Sequence, residues 1–131
     1  MSIATFHSKQ IQGKGIGKKD VFPTINLTIP DSFTLPFGVY AGRVHLQYKH
    51  GEQTYIVALH FGPRPTAQDP SPSLELHVLD AQKFDTDYNA EDIKVEIIEY
   101  IRDIKKFNDF AQLREQIEKD IVEIRGVLGS L

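Results

Sequence analysis

Six short apolar segments follow one another before residue 102, and no segment with a helical period separates them. Parallel strands need a crossover connection of about a dozen residues or more, usually a helix, so this order predicts an antiparallel sheet. The clearest segment is 24–29, where apolar and polar residues alternate and Ile25, Leu27 and Ile29 share one face. The predicted strands are 3–12, 24–29, 38–48, 54–61, 74–79 and 93–101.

The period changes after the last predicted strand. Between residues 110 and 128, apolar side chains recur at spacings of three and four, which predicts an amphipathic helix. Asn108 or Asp109 can cap its start, and Gly126 or Gly129 can end it. Because six short antiparallel strands avoid long exposed edges by closing on themselves, we expect an all-β barrel with a C-terminal helix that plugs or flanks it.

Composition narrows the class of protein. The chain has 131 residues, 40% of them hydrophobic and 25% charged, which predicts one globular domain spanning 1–131. Its net charge of −3 argues against bulk nucleic-acid binding, and its lack of cysteine excludes disulfides and thiolate metal sites. No apolar run approaches the ~20 residues of a membrane span, and no signal peptide begins the sequence. We therefore expect a cytoplasmic monomer that binds neither nucleic acid nor membrane.

The stretch between the first two predicted strands is rich in glycine and lysine. Gly13, Gly15 and Gly17 alternate, and Lys18 and Lys19 follow. Successive backbone N–H groups in such a loop can form an anion-binding nest, and lysines beside it supply charges suited to phosphate. The stretch matches neither the P-loop nor the dinucleotide fingerprint, and an ordinary turn has a similar composition.

Thr24 and Asn26 follow this loop and lie on the same face of the predicted strand, opposite its apolar residues. That face points to solvent or to a ligand. Two oxygen-bearing side chains so placed can hold a hard cation such as Mg²⁺ near bound phosphates. A nucleotide-phosphate and magnesium site is the hypothesis that follows.

Glu75 lies in the middle of the fifth predicted strand, opposite its apolar face, and His77 shares that outer face. A carboxylate in this position can act as general base for a hydroxyl group, and the histidine can help to place a substrate. Solvated strand residues are the alternative interpretation for both.

Arg102, Lys105 and Lys106 follow the last predicted strand and precede Phe107. This cluster can bind an anion or flank a flat ring. It can equally compensate charge in a loop.

Together these features resemble one family, the riboflavin kinases (flavokinases). The resemblance covers nearly the whole chain, and its strength lies in several short motifs occurring in the right order. The motifs are 13–17, 22–27, 36–42, 62–66, 74–80, Tyr88, 101–102 and 106–107, followed by the closing helix. The resemblance implies a six-stranded antiparallel Greek-key barrel with a C-terminal helix. It also implies transfer of the ATP γ-phosphoryl group to the 5′-hydroxyl of riboflavin, giving FMN and ADP.

The resemblance further implies roles for individual residues. The Mg²⁺ ligands of the family fall on Thr24 and Asn26, and its catalytic base for the ribityl hydroxyl falls on Glu75. The other implied contacts are with ATP for Gly13, Gly15, Gly17, Lys18, Lys19, Thr24, Val78, Asp80 and Tyr88, and with flavin for Arg102, Lys105 and Gln112.

The sequence departs from the family pattern at four positions. Asp20 stands where leucine is common, Val21 and Asn89 where glycine is usual, and His60 where asparagine is usual. These departures motivate an alternative, a flavin- or nucleotide-binding module with impaired catalysis. A barrel that serves only protein interaction fits less well with the polar face that carries Glu75. Because no adenylyltransferase domain precedes the barrel, we expect the reaction to stop at FMN.

Overall fold

The computed structural model describes residues 2–11, 22–63, 71–80 and 82–129, and in these ranges it contains six strands and one helix. The elements are β1 (Ala4–Ser8), β2 (Thr24–Leu27), β3 (Gly38–Tyr48), β4 (Gly51–Pro63), β5 (Pro72–Val78), β6 (Ile93–Arg102) and α1 (Phe110–Leu128). All six strands belong to one sheet with the order β1-β6-β3-β4-β5-β2, and every pairing is antiparallel.

The connectivity of the sheet is that of a Greek key. The consecutive strands β3, β4 and β5 form a meander, and β6 returns to lie beside β3. The sheet then curls until its two edges meet at one end. There the backbone N–H of Ile11 donates to the carbonyl of Asn26 at 2.8 Å, and that of Thr28 donates to the carbonyl of Lys9 at 2.9 Å. The predicted antiparallel barrel is therefore confirmed.

Apolar side chains fill the inside of this curled sheet because successive residues of each strand alternate between its two faces. In β2, Ile25 and Leu27 are each 1% exposed, as the alternation of segment 24–29 predicts. The largest fully buried members of this core are Ile25, Leu27, Tyr40, Leu46, Leu59, Leu74, Leu76, Ile93 and Ile97. The polar side chains that alternate with these core residues along β2 and β5 therefore point to the outer face.

The ends of some strands differ from the prediction, because polar residues there interrupt the alternation of apolar and polar side chains. Strand β3 has the predicted bounds, but β4 begins at Gly51 rather than at residue 54. The hairpin turn is only Lys49 and His50, so the exposed polar residues after it already belong to the ladder. Strand β1 ends at Ser8, earlier than predicted, although Gln10 still pairs with Leu27.

Strand β3 contains a bulge at Gly42. The register with β6 shifts between Ala41 and Gly42. A Cβ atom at position 42 would lie 2.5 Å from the carbonyl oxygen of Glu96, so only glycine allows this close approach of the two strands.

Helix α1 flanks the barrel and does not plug it. Its Ile124 is buried against Ala41, Ile56 and Ala58 on the outer face of β3 and β4, where the two alanines allow a close approach. Asp109 caps the helix start, and Gly129 ends it with φ of 70°, so that Gly126 lies inside the helix. Within the described part of the chain, no helix is both long and apolar enough to cross a membrane.

Candidate active site

Strands β2, β5 and β4 bring a set of polar side chains together on the outer face of the sheet. Asn26 is directly opposite Glu75, and Thr24 is directly opposite His77 in the β2–β5 pairing. Directly opposed residues of an antiparallel pair share one face, with Cβ atoms about 4.5–5.5 Å apart. We call these four residues, Thr24, Asn26, Glu75 and His77, the polar ledge.

The side chains of the polar ledge form a chain of contacts. The Thr24 Oγ1 atom lies 3.3 Å from His77 Nδ1 and also 3.3 Å from the carbonyl oxygen of Phe22. His77 Nε2 lies 3.9 Å from Glu75 Oε1, which is longer than a hydrogen bond. The side chain of His77 is 24% exposed and that of Glu75 is 12% exposed, so the carboxylate is partly shielded from water. A hydroxyl, an imidazole and a carboxylate thus adjoin in one partly buried place.

The amide oxygen of Asn26 is distinctive within the polar ledge. Asn26 Oδ1 is buried and forms no hydrogen bond with any described residue. A buried acceptor left in this state costs about 1–3 kcal/mol. Together with Thr24 Oγ1 and the carboxylate of Glu75, it makes a set of oxygen donors, which is the chemistry that Mg²⁺ prefers.

This arrangement fits a magnesium ion held partly by substrate phosphates and partly by protein. Among residues 2–11, 22–63, 71–80 and 82–129, no group of three or more histidines, cysteines and acids can hold a metal on its own. Mg²⁺ usually keeps several waters and needs only one or two protein ligands beside substrate phosphates. The hydroxyl and amide oxygens of the polar ledge suit that role.

The row of side chains that contains Glu75 continues across the sheet. Glu75 is directly opposite His60 on β4, His60 is opposite Val39 on β3, and Val39 is opposite Arg102 on β6. Three strand spacings separate Glu75 from Arg102, which is a path of roughly 14 Å along the curved outer face of the sheet. His60 is only 7% exposed, which makes it the buried neighbour of the candidate base.

Arg102 forms a two-pronged ion pair with helix α1. Its Nε donates to Asp120 Oδ1 and its Nη2 to Asp120 Oδ2, each at 2.8 Å, while Nη1 donates to the carbonyl of Asp103 at 3.0 Å. Gln116 donates to Asp120 Oδ1 at 3.0 Å and accepts a hydrogen bond from Lys105 Nζ at 3.3 Å. The two predicted flavin contacts, Arg102 and Lys105, are thereby joined by one network.

Asp120 and Gln116 were missed by the sequence analysis. Asp120 is 4% exposed, and it lies on the inner face of α1 because it is four residues before the buried Ile124. An acid within the apolar stripe of a helix is the signal that indicates a buried ion pair. Its partner was not deducible, because Arg102 meets it only through the packing of α1 on the sheet.

Gln112, the third predicted flavin contact, lies in the first turn of α1. Its backbone N–H donates to Asp109 Oδ1 at 2.8 Å, and its own Oε1 accepts from the backbone N–H of Asn108 at 3.2 Å. The side chain therefore stabilises the helix start, and it is exposed beside that contact.

Two of the predicted nucleotide contacts follow β5. The Val78 side chain is fully buried in the core, but its backbone N–H donates to the carbonyl of Pro23 at 2.9 Å, directly before Thr24. Asp80 is half-buried two residues later, and its carbonyl accepts from Lys83. Only the backbone of Val78 can therefore face a ligand.

Tyr88, the third predicted nucleotide contact, is half-buried and packs against Phe84 and Tyr48. Its hydroxyl donates to Gln10 Oε1, and burial raises the pKa of this phenol. Gln10 precedes Ile11, whose N–H donates to Asn26, so Tyr88 is linked to the polar ledge through the edge of the sheet.

The predicted phosphate loop lies outside the described residues. This holds for Gly13, Gly15, Gly17, Lys18 and Lys19. The described residues on either side of the loop both contact β2, since Ile11 donates to the carbonyl of Asn26 and the carbonyl of Phe22 lies beside the Thr24 hydroxyl.

Comparison with known proteins identifies the family. The flavokinase family, described as riboflavin kinase, matches residues 2–128. The bifunctional riboflavin kinase/FMN adenylyltransferase of Haemophilus influenzae is 34% identical over 92% of this chain and 37% of its own length. The protein of the same name from Bacillus subtilis is 34% identical over 84% of this chain and 34% of its own length. The chain thus spans about a third of these relatives.

A solved structure supports the fold. The crystal structure of a protein described as a macrolide-efflux protein from Streptococcus pneumoniae superposes with a TM-score of 0.70 at 25% identity, over 92% of this chain and 38% of that one. The chain belongs to the riboflavin kinase family, because the family match covers nearly all of it.

Proposed function

We propose that this member of the riboflavin kinase family transfers the γ-phosphoryl group of ATP to the 5′-hydroxyl of riboflavin, forming FMN and ADP. The observation that carries the proposal is the polar ledge. It combines a partly shielded carboxylate on Glu75 with the buried amide oxygen of Asn26 directly opposite, which accepts no hydrogen bond from any residue that the structure describes. Phosphoryl transfer depends mainly on positioning and on neutralising charge, and both need such groups side by side.

Glu75 is the general base in this proposal. It accepts the proton of the ribityl hydroxyl as the oxygen attacks the γ-phosphorus, and the β–γ bridging oxygen leaves with ADP. Its position on β5, between Asn26 on β2 and His60 on β4, fixes its backbone by strand pairing on both sides. A base held in this way stays in line with the phosphate, which is where the rate gain from orientation comes from.

Thr24 and Asn26 hold the magnesium ion in this proposal. When bound, Mg²⁺ supplies positive charge that neutralises the phosphate oxygens of ATP. The buried oxygen of Asn26 supports this assignment, because a cation would remove the cost of its missing hydrogen bond.

The ATP phosphates are bound by the glycine and lysine loop. The described residues on both sides of that loop, Ile11 and Phe22, contact β2, which supports this assignment. The backbone N–H groups of Gly13, Gly15 and Gly17 cradle the phosphates, and Lys18 or Lys19 adds a positive charge. Val78, Asp80 and Tyr88 contact the nucleoside part of ATP.

The row from Glu75 to Arg102 supports a flavin site along the outer face of the sheet. The row is roughly 14 Å long along the curved surface, so in this proposal a ligand with a flat ring and a ribityl arm places its hydroxyl at Glu75 and its ring towards α1. Arg102 uses three of its five N–H groups in the described contacts with Asp120 and Asp103. In this proposal the remaining N–H groups, with Lys105 and Gln112, contact the flavin ring.

The direct test is to incubate the chain with ATP, Mg²⁺ and riboflavin and to separate flavins by chromatography. We expect FMN. We expect Glu75→Gln to lower kcat by about 10²-fold or more, because the base is lost while its shape is kept. Riboflavin binding, followed by quenching of its fluorescence, should change little in that variant. Absence of FMN from the folded wild-type chain across a range of divalent metals and pH would refute the proposal.

A second candidate function is a flavin- or nucleotide-binding module without turnover. The observation that favours it is the buried His60 directly opposite Glu75, where the family usually has asparagine. It predicts quenching of riboflavin fluorescence by the wild-type chain together with no FMN. Substituting His60→Asn would then restore the family pattern and should restore turnover.

A further inference from the structure

We propose that Asp120 on helix α1 is a positioning residue, which holds the guanidinium of Arg102 in one orientation for contact with the flavin ring. This inference rests on the proposed function, since that proposal places Arg102 at the ring end of the flavin site. It assigns the helix a task in substrate binding beyond covering the sheet.

The ion pair between Asp120 and Arg102 fixes both the place and the plane of the guanidinium. Nε donates to Oδ1 and Nη2 donates to Oδ2, each at 2.8 Å, so the carboxylate binds one edge of the planar fork. Two parallel bonds of this kind fix the orientation of the guanidinium, which a single bond does not. The Arg102 side chain is 15% exposed and that of Asp120 is 6% exposed, so water competes little for these bonds.

Three residues spaced four apart on α1 build this arrangement, because positions i and i+4 lie on one face of a helix. Ile124 is buried against the outer face of β3 and β4 and so fixes the helix on the sheet. One turn earlier, Asp120 binds Arg102. One turn before that, Gln116 donates to Asp120 Oδ1 at 3.0 Å, so the carboxylate is itself held by a second donor.

The network reaches the second predicted flavin contact less strongly. Gln116 Oε1 accepts from Lys105 Nζ at 3.3 Å, and the lysine side chain is exposed. A longer bond on an exposed and flexible side chain orients it weakly. The effect of Asp120 on a bound flavin should therefore pass mainly through Arg102.

Stability is a weak reason for an acid at this position of α1. The neighbouring residues Ile117, Ile121 and Ile124 are apolar. A buried ion pair is often no more stabilising than well-packed apolar side chains of similar size. An arginine that is already ordered, however, loses less conformational freedom when a ligand binds, and this preorganisation raises affinity. That gain in affinity is the function that we assign to Asp120.

The first test is Asp120→Asn, which keeps the shape of the side chain. Its NH₂ group cannot accept from Arg102, so one of the two bonds is lost. We expect the KM for riboflavin to rise about 10-fold, the loss that one charge-assisted hydrogen bond can cause. Since only the ring contact is loosened, kcat and the KM for ATP should stay within about twofold of the wild-type values.

A flavin without its arm tests which part of the ligand is involved. Lumiflavin has the same ring as riboflavin but no ribityl arm. Asp120→Asn should raise the dissociation constants of both flavins by the same factor, as measured by quenching of their fluorescence. A loss of affinity for riboflavin alone would place the contact on the arm and overturn the inference.

Asp120→Glu separates orientation from charge compensation. It keeps the negative charge beside Arg102, so the variant does not depend on a buried arginine without a counter-ion for its folding. The longer side chain displaces the carboxylate, and we expect the KM for riboflavin to rise about threefold or more. Charge compensation alone predicts the wild-type KM in this variant.

A double variant shows whether Asp120 acts through Arg102. We expect Arg102→Gln/Asp120→Asn to bind riboflavin as weakly as Arg102→Gln does, because Asp120 then has no guanidinium to orient. Both charges are removed together, so neither is left buried without its partner.

The matched control is Glu115→Gln on the same helix. Glu115 is 72% exposed and pairs with Lys119 at 3.6 Å, so this variant loses the same charge on the face turned away from the sheet. Its KM for riboflavin should equal that of the wild-type chain. Near-ultraviolet circular dichroism checks that each variant is folded.

Two further results would overturn the inference while leaving the proposed function intact. One is a wild-type chain that makes FMN together with Asp120→Asn and Asp120→Glu variants that match its KM for riboflavin. The other is a double variant whose loss is the product of the two single losses, which means that Asp120 acts independently of Arg102. A wild-type chain that binds riboflavin but makes no FMN refutes the proposed function, and the dissociation constants then test the inference separately.

Discussion

Two histidines on the outer face of the sheet, His45 and His77, have the same kinds of neighbours, but the contacts of His45 are shorter than those of His77. The His45 group consists of His45, Thr54 and Glu96, and the His77 group consists of His77, Thr24 and Glu75. In each group the threonine is directly opposite the histidine on a paired strand. The same three residue types in the same cross-strand register therefore make two different structures.

The His45 group is closed by two short contacts. Nδ1 lies 2.9 Å from Thr54 Oγ1, and Nε2 lies 2.9 Å from Glu96 Oε1. The hydrogen bond from His45 is the main reason that the pKa of Glu96 lies below its ordinary value. Both ring nitrogens are thus used in holding β3, β4 and β6 together, as expected of a group that stabilises the sheet.

The His77 group stays more open because of where its glutamate comes from. Glu96 reaches His45 from a neighbouring strand, whereas Glu75 lies two residues before His77 on β5 itself. Same-face neighbours on one strand are about 6.5–7 Å apart at the backbone, which limits how closely their side chains can meet. The distance of 3.9 Å between His77 and Glu75 follows from that spacing, whereas the 3.3 Å contact between His77 and Thr24 is made across β2 and β5. Placement of the acid thus distinguishes a structural group from one suited to a ligand.

The sharpest test of this difference replaces the acid in each group. Glu75→Gln should lower kcat for FMN formation by about 10²-fold or more, because it removes the proposed base. Glu96→Gln should leave kcat unchanged, because Glu96 belongs to the closed group. Equal effects of the two substitutions on turnover would remove the functional distinction between the groups.

A second test concerns the buried amide oxygen of Asn26, which lies beside the His77 group. Asn26→Ala should raise the Mg²⁺ concentration for half-maximal rate by about 10-fold or more, because a metal ligand is lost. It should also leave the free energy of unfolding unchanged or raise it by about 1 kcal/mol, since it removes a buried acceptor that has no partner in the described part of the chain. Thr54→Ala is the control with the opposite pattern, reduced stability and unchanged Mg²⁺ dependence. A large loss of stability in Asn26→Ala would contradict the metal-ligand assignment.

The histidines themselves provide a third test. His45→Ala removes two 2.9 Å contacts and should lower the free energy of unfolding by about 1–2 kcal/mol, as measured by urea denaturation. His77→Ala removes the longer contacts of 3.3 Å and 3.9 Å and should cost less than His45→Ala. A larger loss of unfolding free energy in His77→Ala than in His45→Ala would mean that contact length does not indicate which histidine stabilises the sheet.

The smallest expected effect is a dependence of stability on pH. Because the pKa of Glu96 is lowered in the folded state, its contribution is fully present above its ordinary value of 4.5 and is lost as the pH falls through the lowered value. Urea denaturation of the wild-type chain and of Glu96→Gln between pH 7 and pH 3 measures the difference. The variant should lose less stability on acidification, and identical slopes would show that the pairing does not contribute.

Much of the fold follows from periodicity. The bounds of β3 and the helix between Asp109 and Gly129 agree with the sequence pattern, because both elements bury a regular face. The start of β4 does not, because residues 51–53 are polar and exposed and belong to the ladder only through their partners on β3. Alternation specifies faces well, but it carries no information about which strands pair.

The same limit applies to the candidate site. Period-two alternation correctly places Thr24 and Asn26 on the face opposite the core, and likewise Glu75 and His77. These two pairs meet because of the β2–β5 register, which joins residues about fifty positions apart. The local sequence pattern contains no information about that register. The roles of these residues came from the family resemblance and stay predictions.

Strand β2 carries the two proposed metal ligands, yet with four residues it is the shortest strand described and lies at the edge of the sheet. Its ladder partner is β5, and among residues 2–11, 22–63, 71–80 and 82–129 the pairing on its other side is confined to the residues around Gln10. Edge segments with few ladder bonds open locally at lower free energy than central strands. The amides of Ile25 and Leu27 should therefore exchange with solvent faster than those of central β3. A bound metal–nucleotide complex would slow that exchange, because it would stabilise β2 against local opening. The substrate would then make its own binding site more rigid.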